Sequence, residues 1–392
     1  MPSPFLQSLH IYPIKSTAGI SLSNSWVDDF GLSFDRRFVI TDENGQFITA
    51  RTQPTLCLIK VSITEKGLVL IAPDMPALHI HYQALSQTYK NISVWKDDIN
   101  AQYGHADYDL WFSQYLQMPC QLLYFGEQSQ RLVHQSNKQV AFADGYPLLL
   151  ISQASLDDLN SKIAPQLNSP ISMSQFRPNI VVNDCDAFAE DRWQHIRIGE
   201  VEFELVKPCS RCIFTTVNPT SAEKHPQQEP LNTLKNYRQV ENGNVMFGQN
   251  LIALNQGSIK QGDKIVILKK QSSPIFITKP PTTENKSQAQ KINLAKKEES
   301  KMPPSKVKLN FDSWNKSFTG NTRDTILEQG EGAGMLLPYS CRGGMCGRCK
   351  IKLTSGEVKQ LATDGLSDAE KAQGFVLACS SVPVSDLVLA KR

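Results

Sequence analysis

No run of eighteen apolar residues occurs in the 392-residue chain, which excludes a helix crossing a bilayer. The opening Met1-Pro2-Ser3-Pro4-Phe5-Leu6 lacks a basic segment followed by an apolar one, so no export signal is expected there. A large excess of charge of either sign is absent too. The net charge of +3 is too small to argue for a nucleic acid or a membrane surface as partner. There is no G-x-G-x-x-G and no P-loop; the nearest run, Gly330-Glu331-Gly332-Ala333-Gly334, has the wrong spacing. What is present is 40% apolar, enough for ordinary cores, at a length that suits two or three domains. Nine cysteines, an odd number, read as reduced thiols and metal ligands of a cytoplasmic protein.

Four of those cysteines form a pattern. Cys341, Cys346 and Cys349 lie in Pro338-Tyr339-Ser340-Cys341-Arg342-Gly343-Gly344-Met345-Cys346-Gly347-Arg348-Cys349, and Cys379 follows on the later run Phe375-Val376-Leu377-Ala378-Cys379. C-x4-C-x2-C with one distant cysteine is the plant-type [2Fe–2S] spacing. Iron takes soft, anionic thiolates. Gly343, Gly344 and Gly347 let the loop turn tightly and aim N–H groups at sulfur, which favours the reduced state. Zinc is the alternative, but zinc sites use two close pairs and here the fourth ligand stands alone. With no nucleotide-binding motif in the chain, the electrons must come from a separate reductase.

Residues 272–305 are rich in Lys, Pro, Ser and Gln and hold no large apolar cluster. They cannot offset the entropy of ordering and read as a flexible linker. Such a segment spans roughly 30 Å and keeps its flanks at about millimolar effective concentration. Before it, β-rich runs at 9–12, 37–40, 58–63, 179–182 and 201–206 predict strands. Helices are expected at 108–116 and at 155–163, the second capped by Ser155 in Ser155-x-x-Asp158. Many short strands and few helices predict a mainly β fold with some α, built as barrels. After the linker, residues 306–392 predict a small α+β unit. It has a hairpin at 307–318, a helix at 325–329 stopped by Gly330, a strand at 350–353, a helix near 367–373, and strands at 375–379 and 387–390.

The front part holds a second pair, Pro208-Cys209-Ser210-Arg211-Cys212-Ile213-Phe214. A lone C-x-x-C is open to three readings: a redox pair, half a zinc site, or two buried structural cysteines. Elsewhere Tyr12-Pro13-Ile14-Lys15-Ser16, Asp35-Arg36-Arg37-Phe38, Thr49-Ala50-Arg51, Phe176-Arg177-Pro178-Asn179 and Lys235-Asn236-Tyr237-Arg238 place cations at expected strand ends. Lys15, Arg36, Arg177 and Arg211 suit a phosphate and the polar edges of an anionic heterocycle. Taken singly, each such cation is more often a solvated surface charge. Pro178 predicts an extended backbone at Arg177. Cys57, Cys120 and Cys185 have no partner at ligand spacing and read as buried packing residues.

Taken together, these motifs resemble the MOSC family with its N-terminal β-barrel extension over residues 1–270. That family includes the mitochondrial amidoxime-reducing component, and its bacterial YcbX-type members carry a C-terminal ferredoxin domain. Residues 306–392 resemble the plant-type ferredoxin domain, with a β-grasp fold implied. The resemblance implies an N-terminal β-barrel domain at 1–120, a MOSC domain at 121–271, the linker at 272–305 and the ferredoxin domain at 306–392. It implies a molybdenum–pterin cofactor, with Cys212 as metal ligand and catalytic residue. Lys15, Ser16, Arg36, Arg177, Asn179, Ser210 and Arg211 match positions that hold the pterin and its phosphate. Gly145 and Tyr146, in Asp144-Gly145-Tyr146-Pro147, and Asn250, in Phe247-Gly248-Gln249-Asn250, stand at further contact positions, where the mitochondrial proteins carry other residue types. Cys209 is open to two readings, a thiol supporting the metal ligand or a core residue, and the core reading is favoured.

The implied reaction is reduction of small N-hydroxylated compounds: R–NHOH, two electrons and two protons give R–NH2 and water. The electrons are expected from an NAD(P)H-dependent flavin reductase, through the [2Fe–2S] cluster. Two alternatives stay open. One is a sulfur carrier with a persulfide on Cys212. The other is an electron-transfer or redox-sensing module without catalysis of its own.

Overall fold

The computed structural model describes residues 3–163, 170–241, 243–277, 305–335, 337–339, 344, 347–361, 363 and 365–391. It divides into two compact units, Met1–Thr233 with Met246–Pro274, and Leu234–Val245 with Ile275–Arg392. In both, strands outnumber helices, as the β-rich runs predict. Among the described residues, no helix is long and apolar enough to cross a membrane.

The first unit is organised by an eight-stranded sheet. Its order is Ile265–Lys270, Trp193–Ile198, Val201–Ser210, Met246–Ala253, Leu148–Ser152, Ile180–Asn183, Phe5–Ile11 and Ile20–Leu22. Alternation sets its faces: Val201, Phe203 and Leu205 are buried while Glu202 and Glu204 between them are half-buried. One neighbouring pair is parallel, Leu148–Ser152 with Ile180–Asn183. A parallel pair needs a crossover, here containing the helix Gln153–Ile163. Both strands of that pair are apolar and almost wholly buried, as strands covered on both faces are. The helix is capped by Ser152, whose Oγ accepts from the Ser155 N–H at 3.1 Å. The expected cap, Ser155, lies inside the helix and is buried, where its hydroxyl donates to Glu190.

Smaller sheets complete this unit. Phe38–Thr41, Gln121–Tyr124, Asp97–Tyr103 and Tyr89–Val94 form one. Lys60–Thr64, Gly67–Ile71 and Leu78–His81 form another; it shares a core with the helix Ala106–Leu116 through Tyr108, Trp111, Phe112 and Leu116. The early and late parts of the unit are interleaved. Asn24–Asp28 pairs with Gly257–Lys260, and the Leu6 N–H donates to the Asp263 carbonyl at 2.9 Å.

Lys235 and Arg238, expected at a strand end, lie on the helix Leu231–Arg238. The Glu229 carboxylate accepts from the Thr233 N–H at 3.1 Å and supplies the cap that favours the helix.

The second unit has a five-stranded mixed sheet in the order Lys316–Asn321, Lys306–Phe311, Leu387–Ala390, Lys350–Ser355 and Phe375–Leu377. Val307, Leu309, Phe311, Ile351, Val376, Leu387 and Leu389 face a core shared with Ile326 and Leu327 of the helix Ile326–Gly332. Thr325 and Glu328 close a capping box at its start. The helix runs past Gly330, the expected stop. A Cβ there would meet Leu337 at 2.6 Å, so this glycine serves a close approach and not a terminus. Cys379 sits on the 3-10 turn Ala378–Ser380, because the strand expected to carry it ends two residues earlier, at Leu377. Most of the predicted linker, 278–304, lies outside the described residues. Its first residues are held: Arg238 lies over the Phe276 ring at 3.9 Å, and the Ile277 N–H donates to Gln239 O at 2.7 Å.

Candidate functional site

In the first unit, segments at the ends of several strands converge on one cavity. The turn after Phe5–Ile11 contributes Lys15 and Ser16, and the loop before Phe38–Thr41 contributes Arg36. Gly145 and Tyr146 precede Leu148–Ser152; Arg177 and Asn179 precede Ile180–Asn183. Val201–Ser210 ends in Ser210, followed by Arg211 and Cys212, and Met246–Ala253 contributes Asn250. Backbone bonds stitch the first two turns together: Lys15 N to Phe38 O at 2.8 Å, and Arg36 N to Tyr12 O at 2.9 Å. All the front-part candidates named from the sequence line this one cavity, from positions far apart in the chain.

Three of them have left-handed backbone without being glycine: Ser16 (φ 77°), Arg36 (φ 48°) and Arg177 (φ 56°). Such strain persists where surrounding structure holds it, and it clusters at binding sites. At Arg177 it corrects the expectation of extended backbone before Pro178. Arg177 follows the 3-10 turn Met173–Gln175 and donates its N–H to Ser174 O at 3.2 Å, a helix-end geometry that overrides the pre-proline preference.

The cations form two sets. In the first, Arg36 and Arg177 lie over Tyr12, 4.3 and 4.0 Å from its ring centre. Arg36 pairs with Asp35 at 2.6 Å and donates to Asn179 Oδ1 at 3.0 Å; Arg177 donates to Thr17 O at 2.6 Å. Burial pushes the Arg177 guanidinium and the Tyr12 hydroxyl against their charged forms. Asn179 is fully engaged. Its Oδ1 also accepts from Leu149 N, and its Nδ2 donates to His10 O at 3.1 Å, so it shapes the wall and orients Arg36. Arg211 donates to Phe176 O at 2.6 Å and to Cys209 Sγ at 3.0 Å; its Nε is buried and has no hydrogen-bond partner among the described residues.

The second set is Lys15 and Arg51 around Asp144. Lys15 Nζ reaches Asp144 at 2.5 Å and Phe142 O at 2.8 Å. Arg51 reaches the other carboxylate oxygen at 2.8 Å and directs Nε at Cys212 Sγ, 3.4 Å away. Burial pushes the Lys15 ammonium down to about 8, while Asp144 opposes that change. Desolvation in the cleft works to raise the Asp144 carboxyl, but Lys15 and Arg51 hold it well below the usual carboxylate range. With 57% of its side chain open to the cleft, solvent screens these pairs. Burial likewise works to raise the Cys212 thiol; Arg51 outweighs it and, with the Phe214 N–H, holds the thiol below its ordinary value.

Cys209, expected in the core, is half-buried and lines the same cavity. Bulges between Leu205 and Lys207 and between Pro208 and Ser210 re-aim the end of its strand. Cys57 and Cys120 are buried as expected, whereas Cys185 is half-buried. No disulfide forms among these thiols. In the second unit, Cys341 and Cys346 lie outside the described residues. The other two expected cluster ligands meet: Cys349 and Cys379 Sγ are 3.1 Å apart, and Gly344 N–H donates to Cys379 Sγ at 3.2 Å.

The MOSC N-terminal beta barrel domain matches residues 3–119, the MOSC domain residues 137–266, and the 2Fe-2S iron-sulfur cluster binding domain residues 310–384. Mitochondrial amidoxime-reducing component 1 of Mus musculus is 34% identical over 280 residues, covering 66% of this chain and 81% of that protein. Mitochondrial amidoxime reducing component 2 of Homo sapiens is 35% identical over 277 residues, with 66% and 81% covered. The chain belongs to the MOSC family of the mitochondrial amidoxime-reducing components. Its C-terminal match is to the [2Fe–2S] class, as the cysteine spacing predicts.

Two side chains that line this cavity, Arg51 and Asp144, are not marked as site residues by the sequence, where Arg51 reads only as a cation beside an expected strand and Asp144 only as the neighbour of Gly145. Arg131 supports the site from outside the lining. Its guanidinium donates to the carbonyls of Ala141 and Asp144 at 2.9 and 3.1 Å and to that of Ala143, fixing the loop that presents Asp144. Nothing in its local sequence signals that contact.

Proposed function

We propose that this chain is a molybdenum-cofactor oxidoreductase that reduces N-hydroxylated compounds. Electrons pass through its own [2Fe–2S] unit from a separate NAD(P)H-dependent flavin reductase. The observation that carries the reading is Cys212: a thiol biased toward thiolate, in a cavity lined by Lys15, Arg36, Arg51, Arg177 and Arg211 against the single carboxylate of Asp144. That donor set fits an anionic group ligated by sulfur. The buried Arg211 Nε fits it too, as a donor left for a ligand. Similarity to proteins named as amidoxime-reducing components supports the substrate class.

In this reading Cys212 Sγ holds the metal. Lys15, Arg36, Arg177 and Arg211 hold the phosphate and pterin edges, with Ser16, Ser210 and Asn250 adding polar contacts. Asn179 keeps Arg36 aimed. Gly145 leaves open space, with no atom within 4 Å of where a Cβ would stand, and Tyr146 walls it. When bound, the cofactor supplies oxygen-atom removal coupled to two-electron transfer. We assign 1–120 to the N-terminal barrel domain, 121–271 to the MOSC domain, 272–305 to a tether and 306–392 to the cluster domain; the matched spans support this. No disulfide joins the described cysteines, which suits a reducing compartment, the cytoplasm.

The test is elemental analysis and EPR of the purified full chain. Molybdenum and iron should both be present, and Cys212→Ser should lose the molybdenum signal and keep the cluster signal. Iron without molybdenum or pterin would leave only an electron carrier.

A further inference from the structure

Arg51 stands apart from the other cavity cations. Its side chain is 8% exposed, and its charged end is pinned from two directions. One terminal nitrogen donates to Asp144 at 2.8 Å, and the guanidinium plane lies 4.6 Å from the Trp95 ring centre. Asp144 is itself held by Lys15 and by the Trp95 indole N–H at 3.3 Å. With those contacts made, Arg51 Nε is left directed at Cys212 Sγ, at 3.4 Å. Arg36 and Arg177 stack on Tyr12 in the other set.

Trp95 is placed at a cost. Val94 and Asp97 are cross-strand partners, so Trp95 and Lys96 form a two-residue hairpin turn. Trp95 takes its first position at φ 62°, where a turn of this kind prefers glycine. A bulky aromatic is not chosen there for the turn's own sake. What its ring and N–H gain is contact with Arg51, Asp144 and Phe47.

We propose that Arg51, locked by Asp144 and Trp95, is a positioning residue for the Cys212 sulfur: it fixes the sulfur's direction by a charged N–H···S bond and weakens its electron donation to the metal. The inference rests on the reading of Cys212 as the molybdenum ligand. A donor to a ligating sulfur stabilises the reduced, more negative state, so it raises the reduction potential of the centre.

The test has two arms, both on the full chain. The first needs no metal: a double-mutant cycle of Arg51→Met and Cys212→Ala, read as urea unfolding midpoints of cofactor-free protein. Arg51→Met should shift the midpoint less in the Cys212→Ala background than in the native one. Additive shifts overturn the proposal. The second arm is an EPR-monitored redox titration of the loaded protein. Arg51→Met should move the molybdenum midpoint to more negative potential. Trp95→Leu, which keeps an apolar contact for Phe47, should move it less in the same direction, and Arg51→Lys should restore part of the native value. An unchanged potential in loaded Arg51→Met and Trp95→Leu overturns the proposal. If Arg51→Met does not fold or load, Arg51→Lys and Trp95→Leu decide on the same criterion. Native protein without molybdenum sinks the proposed function, while the first arm still decides the Arg51–Cys212 contact.

Discussion

The cavity of the first unit and the cysteine loop of the second both surround sulfur with positive groups, by different means. In the cavity, whole side-chain charges do the work, some of them on strained non-glycine backbone at Ser16, Arg36 and Arg177. In the loop, a bare backbone N–H does it: Gly344 donates to Cys379, and Gly347 turns at φ 69°. Side-chain charge suits a large anionic ligand that must be gripped at several distant points. Backbone amides suit a compact inorganic cluster, three of whose four expected ligands are neighbours in the chain. The first device depends on tertiary structure and the second mainly on local sequence, so the two should fail differently.

The largest contrast comes from removing a ligand. Cys349→Ala should abolish the visible absorbance of the cluster and leave molybdenum content at the native level. If molybdenum falls with the iron, the two sites are not independent. Next is Arg36→Ala. It leaves Asp35, whose side chain is 1% exposed, without its partner and uncovers one face of Tyr12. Breaking a buried pair costs about 3–5 kcal/mol, so both stability and cofactor retention should drop. An unfolding midpoint near the native value would show that Asp35 is satisfied by its bond from Tyr12 N alone.

How much of this was legible follows the same contrast. C-x4-C-x2-C could be read directly because three ligands lie within nine residues of one another in a single loop. The strands could be read as well, since their apolar alternation is local. The cavity could not: Lys15 and Asn250 lie at opposite ends of the first unit's sequence, and only a family resemblance collected them. Where local rules were applied to cavity residues they failed, as with Pro178 and the backbone of Arg177, because tertiary contacts override them.

A third experiment uses pH. Lys15 loses its proton at about 8, so its charge is present below that value and lost as pH rises through it. Retention of the anionic cofactor should weaken by about tenfold across that rise, the scale of one charge-assisted hydrogen bond. Lys15→Arg should flatten this limb. An alkaline limb that persists in Lys15→Arg would assign it to another group. The smallest effects separate the glycines. Gly347→Ala would put a Cβ 2.6 Å from the Gly365 carbonyl at a positive φ, so the cluster should bleach faster. Gly145→Ala meets open space, and its unfolding free energy should stay within about 0.5 kcal/mol of native. A larger loss there would mean that the loop needs glycine for its backbone.

The interleaving of the first unit bears on its biosynthesis. A ribosome releases the chain from its amino end, yet the opening strand, paired on one side with Ile20–Leu22, finds its other partner at Ile180–Asn183, and Asn24–Asp28 waits for residues near 260. The pocket walls cannot close until nearly all of that unit has emerged. Insertion of the proposed cofactor would therefore be a late, post-assembly event, whereas residues 306–392, which have a hydrophobic core cluster of their own, can acquire iron on a separate schedule.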